Sequence, residues 1–160
     1  MVIFLSACGG GGGSSDGAGG NPGRVFSGSE TFTLSAPGVP PDTSLIPITI
    51  TISGNQITYS DGDLSGTATI SADGMSFIVA LEITIVDSIG RCNGEIVYTG
   101  TISGDSISGS GSGQIPCSFN TGQTATITAR STFTATETTA AKAIKGKTLT
   151  ESLSGYVDTI

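Results

Sequence analysis

The sequence predicts an all-β domain of eight antiparallel strands, arranged as a meander that closes into an up-and-down barrel. Thr, Ile and Ser are abundant and only 12% of the 160 residues are charged, which favours strands and tight turns over helices. Apolar and polar side chains alternate over stretches of strand length, as in half-buried strands. Short turn-forming dipeptides separate these stretches. A two-sheet β-sandwich is the alternative architecture.

The predicted strands follow one another with mostly short connections, which favours antiparallel pairing. They cover residues 24–34, 46–53, 56–60, 65–71, 75–86, 94–103, 106–115 and 124–135. Closing eight such strands into a barrel would hide the edges of the sheet. Residues 35–45 hold three prolines and predict a long first loop. The domain is expected to end near residue 137, and 138–160 is predicted to be a C-terminal tail with a short helix over 140–145.

Three turn dipeptides, each preceded by Thr-Ile-Ser, fix three hairpin registers. The turns are Gly54-Asn55, Asp73-Gly74 and Gly104-Asp105. Counting outward from them brings apolar residues together, and in the third hairpin it sets large residues against glycines. The predicted pairs include Ile52/Ile57, Ile70/Phe77, Ala68/Val79, Ile102/Ile107, Tyr98/Gly111 and Ile96/Gly113.

The third register also places Cys92 opposite Cys117. This pair falls on the non-hydrogen-bonded set of an antiparallel ladder, where Cα atoms lie about 4.5 Å apart. That separation is at the near edge of disulfide reach. The sequence therefore predicts a disulfide between Cys92 and Cys117, which requires an oxidising compartment. Two free thiols are the alternative.

The N-terminal segment indicates export and lipid attachment. Leu5-Ser6-Ala7-Cys8 precedes a tract of glycines and serines, so residues 1–7 are interpreted as a signal-peptide remnant and 8–23 as a lipidated cysteine with a flexible tether. Diacylglycerol on Cys8 would give two acyl chains, enough for stable membrane anchoring. The apolar run is shorter than a usual signal of about 7–15 residues, so the true start is expected upstream of Met1. The predicted location is the cell envelope, at the outer membrane or periplasmic face.

Composition argues against several functions. Net charge is −7 with six basic residues, so nucleic acid is not an expected partner. The chain has no His, which removes the commonest general base and metal ligand. We expect no enzyme activity, no catalytic residues, no cofactor and no metal. Asp61-Gly62-Asp63 is interpreted as a turn, since the other ligands of a calcium loop are missing. Residues 109–113 lack the strand-to-helix context of a phosphate loop.

Two glutamates are candidate ligand-binding residues. Glu30 shares a strand face with Phe26 and Phe32, which would place its carboxyl inside the barrel. Glu82 lies opposite the main apolar face of its strand. It is expected to point to solvent, or to orient a ligand if that face lines a cavity. Arg130 is expected to point outward, with a pairing to Glu30 as the alternative.

The stretch from Cys92 to Gly113, followed by Cys117 and Phe133-Thr134-Ala135-Thr136, resembles small bacterial lipoproteins with a lipobox cysteine and a lipocalin-like β-barrel. The resemblance covers about residues 24–137. It implies a lipocalin-like barrel and carries over no catalytic residues. Barrels of eight strands can enclose a small ligand, so the expected function is binding of a small hydrophobic molecule by a lipid-anchored envelope protein. The alternative is a structural or protein-interaction module with a filled core and an unidentified protein partner.

Overall fold

A computed structural model of the protein describes residues 23–86, 88, 90–138 and 148–157. Within them, eight antiparallel strands are followed by one helix. The elements are β1 (Arg24–Ala36), β2 (Val39–Ser53), β3 (Gln56–Ser60), β4 (Ser65–Thr69), β5 (Ser76–Val86), β6 (Gly90–Ser103), β7 (Ser106–Phe119), β8 (Thr124–Glu137) and α1 (Leu149–Val157). The strands form one sheet in the order β4-β3-β2-β1-β8-β7-β6-β5.

The predicted meander is confirmed, and the sheet nearly closes into a barrel. Strand β1 pairs with both β2 and β8, so the first and last strands lie side by side, with Phe26 opposite Glu137. One face of each strand is apolar because its side chains alternate, and these faces together form a single core inside the sheet. The sandwich alternative does not apply.

The barrel has one seam without ladder pairing, between the consecutive strands β4 and β5. The sequence predicted a paired hairpin here, and hydrogen-bonded pairing does not continue beyond the turn. The turn is closed by a hydrogen bond from Ser71 N to Ser76 O (2.8 Å), but the next amide, Ile70 N, donates to Asn55 O. The strands still pack side by side: a Cβ built on Gly66 of β4 would lie only 2.7 Å from Val79 Cγ1 of β5.

The first connection is a tight hairpin, so the predicted long loop over 35–45 was wrong. Chain reversal occurs at Pro37-Gly38, where Gly38 has φ +80°, a backbone conformation that favours glycine. Strand β2 then tolerates Pro40 and Pro41 because its pairing with β3 begins only at Thr49. The preceding part of β2 has no ladder partner on that side among the described residues, and proline is accepted on such an edge.

The registers of the first and third predicted hairpins are confirmed. Ile52 pairs with Ile57, and Tyr98 pairs with Gly111. The same β6–β7 register sets Cys92 opposite Cys117, with Cα atoms 4.0 Å apart and the two sulfur atoms bonded.

Helix α1 lies within the segment that the sequence analysis treated as a tail. The predicted helix over 140–145 falls outside the described residues. α1 begins with a capping box: Thr148 N donates to Glu151 Oε2 (2.9 Å) and Glu151 N donates to Thr148 Oγ1 (3.3 Å). These bonds satisfy amides that the helix itself cannot. One helix face then packs on β1, β2 and β5. Its buried apolar side chains are Leu149, Leu153, Tyr156 and Val157.

We expect reduction of the Cys92–Cys117 disulfide to destabilise the barrel. The cysteines are 25 positions apart, and a loop of this size corresponds to about 3.5 kcal/mol in the chain-entropy model. Urea unfolding with and without reductant measures the difference. A Cys92→Ser/Cys117→Ser double variant should have the same unfolding midpoint as the reduced protein, and reductant should not change that midpoint. Equal midpoints for oxidised and reduced wild type would contradict the prediction.

Candidate functional site

The interior of the barrel is occupied by a cluster of aromatic rings from four strands. Tyr59 of β3 and Tyr98 of β6 stack with ring centroids 4.7 Å apart. Phe133 of β8 meets the Tyr59 ring edge-on at 5.5 Å, and Phe77 of β5 lies 6.4 Å from Phe133. Such distances are typical of favourable aromatic pairs. We call these four residues the ring cluster.

Glycines on β6 and β7 make the space that the ring cluster fills. A Cβ at Gly100 would lie 2.2 Å from the Phe77 ring. One at Gly109 would lie 2.5 Å from the Phe133 ring, and one at Gly111 would lie 2.7 Å from the Tyr98 ring. Real Cβ atoms do not approach this closely, so each ring rests directly on bare backbone. The cross-strand pattern of aromatics over glycines therefore places large rings in the middle of the interior.

Glu30 places a carboxyl group in the middle of this aromatic interior. Its side chain is fully buried. Tyr59 Oη donates to Glu30 Oε2 (2.6 Å), and Tyr98 Oη donates to Glu30 Oε1 (2.9 Å). The inward side of β1 thus supplies an acceptor for two phenols that burial would otherwise leave without partners. We call Glu30, Tyr59 and Tyr98 the carboxyl–phenol cluster.

The environment of the cluster favours its neutral forms. Burial raises the pKa of Glu30 above its ordinary value; the hydrogen bonds from Tyr59 and Tyr98 oppose the rise, and the Asp61 carboxylate adds to it. Burial also raises the pKa of Tyr59 and of Tyr98, and the nearby Glu30 carboxyl reinforces both shifts. Desolvation disfavours every charged form here. Burial and the hydrogen-bonded neighbours therefore favour the protonated form of all three groups.

The other sequence candidates lie outside the barrel. Glu82 is exposed on the outer face of β5, so it lines no interior cavity. Arg130 is exposed on the outer face of β8, whereas Glu30 points inward. The alternative pairing of Glu30 with Arg130 was therefore wrong, because the sheet separates the two groups. Cys8 lies outside the described residues.

The Asp61-Gly62-Asp63 segment is a turn that holds α1. Asp61 Oδ1 accepts from Asp63 N (3.1 Å) and Leu64 N (2.8 Å), while Asp61 Oδ2 accepts from Leu149 N (2.9 Å). Asp63 Oδ2 accepts from Thr148 Oγ1 (2.7 Å). A carboxylate at a helix N-terminus is favourable because of the free amides and the helix dipole. No cluster of three or more metal-ligating side chains occurs among the described residues.

The outer face of β1, β8, β7 and β6 is covered by rows of hydroxyl side chains. Thr31, Thr132, Ser110 and Thr99 are paired in succession across the four strands. A second row consists of Ser29, Thr134, Ser108 and Thr101. Beside them, residues Ser110–Gln114 and Thr128–Thr132 line an open depression of about 670 Å³. Arg130 is the charged side chain in this lining.

An ion cluster fastens the start of β1 to the end of β8. Arg24 Nη2 lies 2.6 Å from Glu137 Oε2 and 3.5 Å from Asp105 Oδ1. The same nitrogen donates to Gly104 O (2.6 Å), and the guanidinium lies 4.8 Å from the centroid of Phe26. The cluster joins β1, β8 and the β6–β7 turn at one rim of the barrel.

Sequence reasoning located Glu30 inside the barrel but missed its phenol partners. Tyr59 and Tyr98 lie 29 and 68 positions from Glu30, so no local pattern links them. The alternation of apolar and polar residues does predict that all three side chains point inward, because each lies on the apolar face of its strand.

Comparison with protein-family models, with curated proteins and with solved structures finds no match to this chain. Across the residues that the structure describes, no helix has the length and apolar character needed to cross a membrane.

We expect Gly109→Ala to destabilise the barrel by about 1–3 kcal/mol, the usual cost of overpacking. The added methyl group would lie 2.1 Å from Thr99 O and 2.5 Å from the Phe133 ring. Ser110→Ala, on the adjacent exposed position, is the matched control and should change stability little. Urea unfolding measures both. Equal stability of the two variants would show that the interior has spare room.

We expect the free energy of unfolding of wild type minus that of Glu30→Gln to fall as pH rises. Because native Glu30 has a raised pKa, the folded state keeps a proton that the unfolded chain releases. Its contribution is complete below the ordinary value of 4.5 and is lost as pH rises through the native pKa. Glutamine cannot ionise and keeps both hydrogen-bond positions occupied.

Urea unfolding at a series of pH values tests this, since the titration of the other carboxyls cancels in the comparison. Glu82→Gln removes the same charge from the exposed face and should show a flat difference. A wild-type-minus-Glu30→Gln difference that stays constant or increases with pH would contradict a neutral buried carboxyl.

Proposed function

We propose that this chain is a lipid-anchored protein of the bacterial cell envelope, whose barrel is a non-catalytic interaction module with a filled interior. The observation that carries the proposal is the packing of the ring cluster against bare glycine backbone. A small-molecule site usually needs about 300 Å³ or more of concave space. The aromatic rings occupy the middle of this barrel, so recognition is assigned to the outer surface.

The anchoring part of the proposal is supported by the sequence and by one structural feature. Leu5-Ser6-Ala7-Cys8 followed by a Gly/Ser tract has the composition of a lipid-attachment site with a tether. The bonded pair Cys92–Cys117 suits a protein exported to an oxidising compartment. With Cys8 lipidated, all three cysteines of the chain would have a defined chemical role.

The outer surface offers a polar contact area. Short hydroxyl side chains on β1, β8, β7 and β6 lie in register across the sheet, with neighbouring strands about 4.8 Å apart. The adjoining depression adds the Gln114 amide and the Arg130 guanidinium. Interfaces of this kind rely on hydrogen bonds and bridging water more than on apolar burial.

The test is to produce the full-length protein in its host and analyse the intact N-terminal peptide by mass spectrometry. We expect a diacylglycerol group on Cys8, with the protein in the detergent phase on phase separation. Cys8→Ser should lose the lipid and move to the aqueous phase. The Cys92→Ser/Cys117→Ser double variant should remain in the detergent phase. An unmodified Cys8 in exported protein would overturn the anchoring assignment.

Native mass spectrometry of the same preparation separates the interaction module from a carrier of small hydrophobic molecules. We expect the mass of the lipidated chain alone. A stoichiometric small molecule that leaves on denaturation would overturn the filled-interior assignment, and would favour binding of a hydrophobic ligand inside the barrel.

A further inference from the structure

Two buried carboxyl groups lie close together near α1. Glu30 and Asp61 are the buried acidic side chains of the described residues. They are linked through Tyr59, whose hydroxyl donates to Glu30 and whose strand leads into Asp61 after one further residue. Asp61 in turn accepts the Leu149 amide at the start of α1. A short chain of contacts therefore runs from the barrel centre to the helix.

Charge on these two groups is not balanced by a nearby cation in the described residues. Around Glu30, β3 contributes the Tyr59 phenol, β6 the Tyr98 phenol, and β8 the Ser131 hydroxyl, while the following turn contributes the Asp61 carboxylate. The described arginines are elsewhere: Arg24 pairs with Glu137 and Asp105, and Arg91 and Arg130 are exposed on the outer face. Two negative charges here would repel each other with little screening from solvent.

We propose that Glu30 is a proton-controlled latch for α1. While the Glu30 carboxyl is neutral, Asp61 stays buried and binds the Leu149 amide. When Glu30 loses its proton, the Asp61 carboxylate is driven toward solvent, the bond to Leu149 is lost, and α1 leaves the barrel.

The contact between α1 and the barrel is of a kind that can break and form again. No ladder hydrogen bonds join the helix to the sheet; the described polar anchors are Asp61 and Asp63 at one end and Tyr156 at the other, whose hydroxyl accepts from Ala36 N (2.9 Å) and donates to Pro40 O (3.3 Å). In the middle of the buried helix face, Ser152 Oγ has no hydrogen-bond partner among the residues that the structure describes. A buried unpaired hydroxyl weakens the contact, so loss of the Asp61 anchor has a large effect on it.

Release of α1 would expose apolar surface at the end of the barrel. The helix covers this end with Leu149, Leu153, Tyr156 and Val157. The strands β1, β2 and β5 contribute the opposing residues. The latch thus links external pH to the exposure of an apolar surface, and it does so whether or not the proposed outer-surface function holds.

Hydrogen exchange of the full chain, read by NMR or mass spectrometry, tests the latch. Protection factors corrected for intrinsic exchange are compared at about pH 5 and about pH 8.5, because raising the pH favours ionisation of Glu30. We expect protection of the amides in 149–157 to fall by about tenfold or more at the higher pH, while the amides of β8 keep theirs. Glu30→Gln should hold α1 at both values. Glu82→Gln should behave as wild type.

Three results would overturn the latch. One is unchanged α1 protection in wild type, and another is an equal loss in Glu30→Gln. The third is parallel loss of protection in β8, which would mean that Glu30 acts on the whole barrel. If Glu30→Gln does not fold, Asp61→Asn takes its place: it should lower α1 protection at acidic pH and remove the pH dependence. A wild-type pH response in Asp61→Asn would equally overturn the proposal.

Discussion

The narrow interior of an eight-stranded barrel is the constraint on which the rest of this structure depends. Such a barrel has just enough width for side chains to fill it, so a large ring on one strand requires missing volume on another. Here the ring cluster occupies the place of side chains that Gly100, Gly109 and Gly111 lack. The glycines of β6 and β7 therefore serve packing: because they lack side chains, the strands paired with them can contribute large rings to the interior.

A filled aromatic interior creates a second requirement, because tyrosines bring polar atoms with them. The hydroxyls of Tyr59 and Tyr98 converge on one carboxyl, which satisfies both. A fully satisfied polar cluster fixes ring positions more tightly than apolar packing alone. The cost is a carboxyl that must remain neutral, and the barrel thereby acquires a sensitivity to pH that an all-apolar core would lack.

The strand pattern was predictable because its determinants are local. The alternation of apolar and polar residues, the two-residue turns and the counting of registers predict the positions of every strand except the first half of β2. They also place Cys92 opposite Cys117. The sequence does not predict the β1–β2 hairpin, because its prolines are typical of loops, whereas an unpaired strand edge also accepts them. The predicted β4–β5 ladder does not form beyond its turn, since Ile70 N donates to Asn55 O instead of to β5. No local sequence pattern predicts that Ile70 N donates to Asn55 O.

The site was predictable only in part. The parity of Glu30 along β1 indicated an inward carboxyl, but its partners lie on distant strands and depend on how the barrel closes. Helix α1 had a readable signal in Thr148-x-x-Glu151, the spacing of a capping box, with Leu149 and Leu153 on one face. That signal was overlooked because the residues around it have little periodicity. Asp61 was correctly interpreted as a turn residue, yet its hold on α1 required the tertiary structure.

The seam between β4 and β5 divides the molecule into two four-stranded half-sheets. Strands β1 to β4 form one half, in which each strand pairs with the next along the chain, and β5 to β8 form the other. The β1–β8 ladder is the hydrogen-bonded junction between the two halves. Each half consists of neighbouring hairpins, whereas the junction pairs Phe26 with Glu137, which lie 111 positions apart in the sequence. Loop-closure entropy makes such remote pairing slow. We therefore expect the β1–β8 ladder to form after the hairpins of each half, with the short turn at the seam as the covalent connection between the two halves.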